Sequence, residues 1–405
     1  MNKGMLSFDE ALAHLLAAAT PVAETEELDT LDAVGRVLAA GQASALMVPP
    51  HDNSFMDGYA VRCADLPAAG TRLPVSQRIP AGSVGHSLAP GTAARIFTGA
   101  PIPAGCDAIV MQELCRHEEA DGQAWVTFDH VPKPGEWVTR AGADIMAGAE
   151  ILPAGKRLRP QDLGLAASVG IARLPVFRRL RVGLLTTGSE LVMPGQPLGP
   201  GRIYNSNRYL LTGLLRQVGC EVRDLGMVPD NFEATRAALR AAAAEVDLIV
   251  SSGGVSVGEE DHVKPAVEAE GSLGLWKVAA KPGKPLAFGR VGRAAFIGLP
   301  GNPVSSFVTF VTLVRPFVLK SQGAAEVLPR ALTLTAGFDW PKPDARREFL
   351  RARIGADGRL ELYPSQSSVV LTSAAWADGL VDNPARQAVQ AGDPVRFLPF
   401  GELLY

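Results

Sequence analysis

The residues best suited to chemistry lie within positions 247–262, in the run DLIVSSGGVSVGEEDH. Residues 246–251 are mostly apolar and partly β-branched, which predicts a strand buried on both faces. Ser252, Gly253 and Gly254 follow it, and glycines let the backbone turn sharply and approach a ligand closely. Three consecutive carboxylates at 259–261 come next and offer hard oxygens to a divalent cation.

This stretch has two interpretations. Bare N–H groups in a glycine turn bind anions, so the turn and the carboxylates together fit a phosphorylated ligand held with a metal ion. A plain strand-to-helix connection has the same appearance. In open α/β sheets, ligands bind beyond the carboxyl ends of strands. Other candidate residues are therefore expected at equivalent positions of the sheet.

Further carboxylates occur at predicted strand ends and turns. They are Asp57, Asp144, Glu190 and Asp230, in addition to Asp261. Glu190 follows a predicted strand of the same sheet as Asp261, and a shared metal ion would let the two carboxylates lie together. Structural roles stay open for Asp57, which precedes a turn glycine, and for Asp230, which with Glu233 has capping-box spacing.

Three lysines supply complementary charge. Lys277, Lys281 and Lys284 lie in WKVAAKPGKP, a segment stiffened by prolines. Lysines are usually solvated surface residues. Three of them beside GLPGNPVSS nevertheless favour an anion pocket.

The segment GLPGNPVSS itself predicts the start of a helix at Asn302 and Pro303. A helix N-terminus offers free N–H groups and the positive end of a dipole to an oxyanion. Ser305 and Ser306 add hydroxyl donors. Arg351 with Ser367 and Ser368 would complete the pocket if the C-terminal region folds back over it.

No nucleophile with a neighbouring base is evident, and His262 is interpreted as a helix-start residue. Chemistry on phosphates that depends on a metal ion and on positioning needs no such pair.

The elements that would position these residues form a β-α-β-α-β pattern. Strands are predicted at 180–188, 220–228 and 246–251, and helices at 205–218, 231–244 and 302–320. Right-handed crossovers between parallel strands are the natural arrangement for this pattern. The predicted fold class is therefore α/β and multidomain, with a mostly parallel sheet in a central domain over 179–325.

Two regions of short strands flank the central domain. Runs at 73–79, 93–98, 108–113 and 125–128 predict a β module over 46–139. It is inserted in a mixed, elongated domain made of 1–45 and 140–178, with helices expected at 7–19, 29–40 and 161–168. Strand-like alternation after residue 326 predicts a C-terminal β module over 326–405.

Composition excludes several classes of protein. The chain has 405 residues, 47% apolar and 20% charged, which indicates a globular protein of several domains. A net charge of −3 gives no general nucleic-acid footprint. The four cysteines form no C-x-x-C pair, and no signal peptide or sufficiently long apolar span is expected, which favours a cytoplasmic protein outside the membrane.

The chain closely resembles the molybdopterin molybdenumtransferase family, which is related to the E domain of gephyrin. The resemblance covers almost the whole length and rests on six motifs in the same order. They are PPHDNSFMDGYAVR, RIFTGAPIPAGCDAIVMQE, LLTTGSEL, SSGGVSVGEEDHVKPAV, KPGKPLAFG and GLPGNPVSSFVTF. Several long motifs in the right order are far more specific than any one of them.

The resemblance implies four domains, a homodimer and a central domain of the molybdopterin-binding type. It implies Mg²⁺-dependent insertion of molybdate into adenylylated molybdopterin, with cleavage of the pyrophosphate link and release of AMP. The adenylyltransferase of the same pathway and molybdoenzymes are implied as partners.

Family roles fall on matching positions of this chain. Acidic or polar active-site positions match Asp57, Thr98, Asp144, Glu190, Asp230 and Asp261. The region for pterin phosphates and molybdate matches Lys277, Lys281, Lys284, Pro300, Pro303 and Ser305, with Arg351 and Ser368 added from the C-terminal region. Glu190 and Asp261, with Asp57 or Asp144 from the partner chain, are the expected Mg²⁺ ligands. Glu259 and Glu260 rank below Asp261 as solvated neighbours.

The chain departs from the family pattern at three places. His51 stands where Phe is common, Ser189 replaces a second acid, and RAGAD replaces an arginine-rich R-x-x-GED motif. Two other functions remain alternatives: an adenylyltransferase acting one step earlier, and a scaffold that binds pterin or a receptor loop without catalysis.

Overall fold

A computed structural model describes residues 5–229, 231–254 and 262–404, and the chain divides into two compact units. The larger unit comprises Met1–Ala40, Ala154–Arg159 and Leu174–Tyr405. The smaller unit comprises Gly41–Pro153 and Pro160–Arg173. The division into four domains stays a prediction.

The described elements are numbered here in chain order. The strands up to residue 152 are β1 Met5–Leu6, β2 Thr25–Asp29, β3 Gln42–Ala43, β4 Asn53–Ser54, β5 Gly58–Val61, β6 Thr71–Ile79, β7 Ala93–Ile96, β8 Ala108–Met111, β9 Cys115–Ala120, β10 Gln123–Phe128, β11 Val138–Thr139 and β12 Glu150–Leu152. The later strands are β13 Arg173–Phe177, β14 Arg181–Thr187, β15 Leu191–Val192, β16 Ile203–Tyr204, β17 Glu221–Val228, β18 Leu248–Ser252, β19 Gly271–Val278, β20 Ala280–Lys281, β21 Pro285–Val291, β22 Ala294–Leu299, β23 Leu332–Thr335, β24 Arg347–Ile354, β25 Leu360–Leu362, β26 Gly379–Asn383 and β27 Pro394–Pro399. The helices are α1 Phe8–Ala18, α2 Pro160–Ser168, α3 Ser206–Gln217, α4 Phe232–Glu245, α5 Val263–Glu270, α6 Pro303–Ser321, α7 Thr372–Trp376 and α8 Phe400–Leu403.

A seven-stranded sheet forms the centre of the larger unit, in the order β1-β19-β21-β22-β18-β14-β17. The neighbours β17, β14, β18 and β22 pair in parallel, and β1 pairs in parallel with β19. Only the two pairings of β21 are antiparallel within this sheet. The predicted α/β class with a mostly parallel sheet is therefore confirmed.

Alternate side chains of this sheet pack into two different cores. Val182, Val250 and Ile297 belong to the core that includes α1, α3 and α6. Ile249 and Phe296 belong to the core of α4 and α5 on the other face. Burying such a side chain contributes roughly 1.5–3 kcal/mol, so two helix layers explain why the strands lack polar alternation.

Two of the central helices begin at asparagine caps. The Oδ1 atom of Asn205 accepts from the Arg208 backbone N–H at 3.1 Å, and that of Asn231 accepts from Ala234 N at 2.8 Å. The helices predicted at 205–218 and 231–244 are confirmed. Asn231 occupies the N-cap position and its amide is the capping group, whereas Asp230, suggested as the partner of Glu233 in a capping box, lies outside the described residues.

The helix α6 is the most apolar helix described. Its 19 residues are long and apolar enough to cross a bilayer, but 94% of the apolar segment is buried inside the protein. The helix predicted at 302–320 is confirmed. It continues through Arg315 and Pro316, which are buried in the core. This helix serves as the central core element of the larger unit.

The C-terminal strands form a second sheet of the larger unit, in the order β20-β24-β26-β27-β23, with β25 on β24. A C-terminal β module is thus confirmed as a structural element. One strand was not foreseen in it: β20 belongs to the lysine segment and pairs in parallel with β24. This short pairing joins the C-terminal sheet to the central domain.

The smaller unit is built on a six-stranded sheet in the order β8-β5-β7-β6-β10-β9. The strands predicted at 73–79, 93–98, 108–113 and 125–128 are confirmed, as is the helix at 161–168. The prediction omitted β5, because its GYAV sequence follows a dense turn segment. It also omitted β9, because CRHEEA is polar and mostly exposed.

The helix predicted at 29–40 is wrong. This segment contains the end of β2, a 3₁₀ turn at Thr30–Asp32, and isolated bridges from Val37 to Arg157 and from Leu38 to Val176. Gly35 adopts φ +74°, a conformation outside the helical region. Its neighbours Val37 and Leu38 are buried through strand-like pairing instead.

Candidate functional site

A cavity of about 1120 Å³ lies in the larger unit, beyond the carboxyl ends of β14, β18 and β22. Register brings these ends together, because Thr186 pairs with Ser252 and Ser252 pairs with Leu299. Candidate residues that line it are Glu190, Ser252, Gly253, Gly254, Lys281, Lys284, Pro300, Pro303, Ser305 and Ser368. The expected position at a sheet edge therefore brings together most candidates from this unit.

The two glycines after β18 are required by close packing. Gly253 has φ +85° and Gly254 has φ +69°. A methyl group at Gly254 would lie 2.3 Å from Cγ2 of Val263 and 2.9 Å from Oγ1 of Thr187. A methyl group at Gly253 would lie 3.1 Å from the Thr187 carbonyl oxygen. The turn thus brings bare backbone to the cavity wall only because both residues are glycine.

Asn207 of α3 connects two walls of the cavity. Its Nδ2 donates to Ser252 Oγ at 2.8 Å and to the Gly301 carbonyl oxygen at 2.7 Å. The Ser252 hydroxyl is therefore already an acceptor within the protein. The amide fixes the glycine turn relative to the loop that precedes α6.

The N-terminus of α6 forms another wall. Asn302 occupies the N-cap position, but its side chain makes no capping hydrogen bond and donates to Ser368 Oγ at 3.1 Å. The Val304 backbone N–H donates to the Ser368 carbonyl at 3.1 Å. Ser306 is engaged with the Pro300 carbonyl. Ser305 is buried and lines the cavity, and Ser368 closes this corner from the C-terminal sheet.

Three cations line the cavity: Lys281, Lys284 and Arg346. Lys284 is exposed and forms no ion pair with any described residue. Arg346 forms a bidentate pair with Asp344, at 3.0 Å from Nε and 2.9 Å from Nη2, and holds the pKa of that carboxyl well below its ordinary value. Lys277 does not line this cavity. It lies exposed within β19, opposite Pro285 and Met5, so the three lysines are not on one loop.

Arg351 lies behind the wall rather than on it. Its side chain is fully buried in β24, where its guanidinium donates to Ser373 Oγ and to the carbonyl oxygens of Phe349 and Ser367. Burial lowers the pKa of Arg351 to about 10. It supports the segment before Ser368 and leaves Arg346 as the arginine that lines the cavity.

The carboxylates fall into three groups. Glu190 lines the cavity, where its exposed side chain folds over Gly188 and makes no ion pair among the described residues. Asp230 and Asp261 lie outside the described residues, as do Glu259 and Glu260. Asp57, Thr98 and Asp144 belong to the smaller unit.

Within the smaller unit, Asp57 and Thr98 form one local site. The Oδ1 atom of Asp57 accepts from the Thr98 backbone N–H at 2.8 Å and from its hydroxyl at 2.7 Å. These bonds hold the pKa of Asp57 below its ordinary value. Asp144 is exposed in a turn, where its backbone N–H donates to the Val48 carbonyl at 3.0 Å.

Sequence reasoning missed several cavity residues. Arg346, Asn207, Asn302 and Gln366 line the cavity but were not assigned to it. A signal existed for Asn207 in NSNRYLL, where it follows the capping asparagine by two residues and faces inward at the start of a helix. Arg346 can be identified only when the register at the start of β24 is known. A shift of one residue along a strand reverses which side chains face the cavity.

Among the described residues, no group of three His, Cys, Asp or Glu side chains could hold a metal ion. Among the described residues that line this cavity, Glu190 is the carboxylate, and its side chain makes no ion pair with any of them. Mg²⁺ is commonly bound through one or two carboxylates together with substrate phosphates. A single carboxylate beside an anion pocket is compatible with that mode of binding.

Comparison with known families agrees with the fold. A family model described as a probable molybdopterin binding domain matches residues 183–320, which contain the glycine turn and the lysine segment. Models described as the MoeA N-terminal region (domains I and II) and the MoeA C-terminal region (domain IV) match residues 6–170 and 333–400. The fold and the site thus define a multidomain protein of the MoeA class.

Individual relatives match over nearly the full length. The chain is 41% identical to a molybdopterin molybdenumtransferase of Haemophilus influenzae, over 99% of this chain and 100% of that protein. It is 38% identical to molybdopterin molybdenumtransferase 2 of Mycobacterium tuberculosis, over 92% and 93%. A crystal structure of a molybdopterin biosynthesis MoeA protein from Pyrococcus horikoshii OT3 matches with a TM-score of 0.83 and 27% identity, over 98% and 100%.

The chain belongs to the molybdopterin molybdenumtransferase family. It is a transferase with a role in molybdenum cofactor biosynthesis.

Proposed function

We propose that this chain inserts molybdate into adenylylated molybdopterin, with cleavage of the pyrophosphate link and release of AMP. The observation that carries the proposal is the convergence of two lysines, Arg346, a helix N-terminus and a glycine turn on one cavity. Molybdate and the pterin phosphates are all anions. Their mutual repulsion at a few ångströms amounts to several kcal/mol in a partly buried site, and such a cavity would offset it.

In this proposal each wall of the cavity has a distinct task. Lys281, Lys284 and the positive end of the α6 dipole bind and orient the oxyanions, while the Val304 N–H stays bonded to the Ser368 carbonyl. Gly253 and Gly254 let the backbone approach the pterin phosphate. Positioning of the reacting groups replaces a general base, since phosphate chemistry of this kind relies mainly on charge and orientation.

Mg²⁺ belongs to the same proposal. Glu190 would hold it together with Asp261, and Asp57 from the partner chain of a homodimer would complete the site. The ion neutralises charge on the pyrophosphate when it is bound. We expect AMP release to stop on chelation with EDTA and Glu190→Gln to raise the Mg²⁺ concentration needed for half-maximal rate roughly tenfold. An unchanged Mg²⁺ requirement in that variant would remove Glu190 from the metal site.

The deciding experiment measures AMP release from adenylylated molybdopterin with and without molybdate. Molybdate-dependent release by the wild-type protein is the expected result. Lys284→Ala is expected to raise the KM for molybdate roughly tenfold, the effect of losing one charged contact. Lys342→Ala is the matched control, because Lys342 is an exposed lysine that does not line the cavity.

The same assay distinguishes the alternatives. Formation of adenylylated pterin from ATP and molybdopterin would indicate an adenylyltransferase. Pterin binding without any AMP release would indicate a scaffold. Analytical ultracentrifugation tests the homodimer, for which twice the chain mass of 42.6 kDa is expected. The pathway adenylyltransferase and molybdoenzymes remain proposed partners.

A further inference from the structure

A buried carboxylate lies directly behind the cavity wall. The side chain of Glu348, in β24, is 0% exposed. Its Oε2 atom accepts from Trp340 Nε1 at 2.7 Å and from Asn383 Nδ2 at 3.4 Å. An ionised carboxylate is strongly disfavoured in such a place unless it is hydrogen-bonded and paired with a cation.

Lys281 is the cation that pairs with it. The Lys281 Nζ lies 3.3 Å from Oε1 of Glu348. The same two residues are also partners in the parallel pairing of β20 with β24. Backbone register and charge therefore fix the lysine at the same place. Its side chain remains 39% exposed and lines the cavity, which leaves part of the ammonium group open to a ligand.

A second carboxylate, that of Asp344, also lies near the lysine but is shared with an arginine. Asp344 Oδ2 lies 3.4 Å from Lys281 Nζ, but both oxygens of Asp344 already accept from Arg346. Asp344 is also 23% exposed, so water weakens its attraction. Glu348 is therefore the stronger anchor for the lysine. A free lysine side chain has many rotamers, and an anchored one presents its charge in one place.

We propose that Glu348 is a positioning residue, which holds the Lys281 ammonium at the cavity for oxyanion binding. The inference rests on the proposed function only in naming molybdate as the oxyanion. It makes the C-terminal sheet part of the binding site through a residue that never touches the ligand.

The test compares Glu348→Gln with the wild-type protein in calorimetric titrations with molybdate and, separately, with inorganic phosphate. The amide keeps the size of the side chain but removes the charge that holds the lysine. We expect the Kd for either oxyanion to rise about tenfold. In turnover, the KM for molybdate rises and kcat changes much less.

Asp382→Asn is the matched control. Asp382 is a second buried carboxylate of the same sheet, 1% exposed, and it pairs with Arg347 and Arg396 instead of a cavity lysine. Its loss disturbs the C-terminal sheet by a similar change of charge. We expect its oxyanion Kd to stay within twofold of the wild-type value.

A double-mutant cycle separates positioning from general damage. Glu348→Gln is expected to have almost no further effect on oxyanion binding in a Lys281→Gln background, because its effect acts through that lysine. Additive effects would overturn the proposal, as would unchanged or tighter binding by Glu348→Gln. Tighter binding would mean that the carboxylate competes with the ligand for the lysine.

Stability provides a second readout if Glu348→Gln folds poorly. Lys281→Gln leaves a buried unpaired carboxylate, so its Tm is expected to fall, and adding Glu348→Gln is expected to restore part of the loss. No restoration would overturn the pairing. If the wild-type protein binds phosphate but not molybdate, the proposed function fails while the positioning test proceeds with phosphate. If it binds neither oxyanion, both proposals fail.

Discussion

Gly254 carries two separate constraints, a left-handed backbone and contact with Val263 and Thr187. Gly201 shares the first constraint, with φ +70°, but a methyl group there would meet nothing within 4 Å. Gly201→Ala should therefore lower the free energy of unfolding by about 1 kcal/mol, and Gly254→Ala by about 2 to 4 kcal/mol. Urea unfolding measures both. Equal losses would show that the turn after β18 can open to accept a side chain.

The bonds from Thr98 to Asp57 give the smaller unit a testable pH dependence. The folded pKa of Asp57 is lowered, so this carboxyl contributes stability above its unfolded pKa and loses it as the pH falls through the folded pKa. Thr98→Val removes the hydroxyl but keeps the backbone N–H, the larger of the two causes. NMR titration should show a partial rise of the Asp57 pKa in Thr98→Val and none in Thr98→Ser.

The types of residue at the site could be predicted from the sequence better than the direction in which their side chains point. The lysine segment, the glycine turn and the serines were identified because their chemistry follows directly from the amino-acid type. Lys277 was grouped with the cavity because it is near Lys281 in sequence, and Arg351 because the C-terminal region was expected to fold back over the pocket. Their positions depend on strand register, which the pattern of charges does not reveal.

The two asparagines that begin α4 and α6 make a prediction about helices. Both are exposed and occupy N-cap positions, but only Asn231 accepts a hydrogen bond from its helix. Asn231→Ala should lower the free energy of unfolding by about 1 kcal/mol, and Asn302→Ala by less than about 0.5 kcal/mol. Chemical denaturation of the two variants checks this. A larger loss of unfolding free energy for Asn302→Ala would show that the contact of Asn302 with Ser368 stabilises the fold.

Elements with a strong hydrophobic periodicity could be predicted from the sequence. Elements formed by pairing between residues distant in sequence could not. Residues 7–19 combine a capping box at Ser7 and Glu10 with an apolar face, and the helix forms as expected. Residues 29–40 have a composition that favours a helix. Val37 and Leu38 are instead buried by pairing with residues far along the chain. Tertiary contact overrides local propensity there.

The four cysteines make a prediction about both units. Burial is the first cause that raises the pKa of Cys63, Cys115 and Cys220 to about 12 and that of Cys106 to about 11. Thiols react as thiolates, so each should react with iodoacetamide at pH 8 at least about ten times more slowly in the folded protein than in denaturant. Mass spectrometry of labelled peptides gives the rates. Fast labelling of one site would reveal local opening there.

The chain's organisation was partly visible in the sequence. Two β regions around a β-α-β-α-β pattern follow from periodicity alone, and the motifs indicate the family. The larger unit is assembled from three separate segments of chain. The assembly of these segments depends on contacts between residues hundreds of positions apart, for which one sequence contains no local signal.

The docking of the first helix has a consequence for synthesis of the protein. The segment from Met5 pairs with β19, and the Leu16 carbonyl accepts from Lys320, 304 residues later. At roughly 5–20 residues per second, a ribosome needs roughly 15–60 s to deliver that partner. The apolar face of α1 is exposed throughout this interval, while the segments of the smaller unit are all complete by residue 173. Of the elements described, α1 is therefore the one on which a chaperone has the longest time to bind.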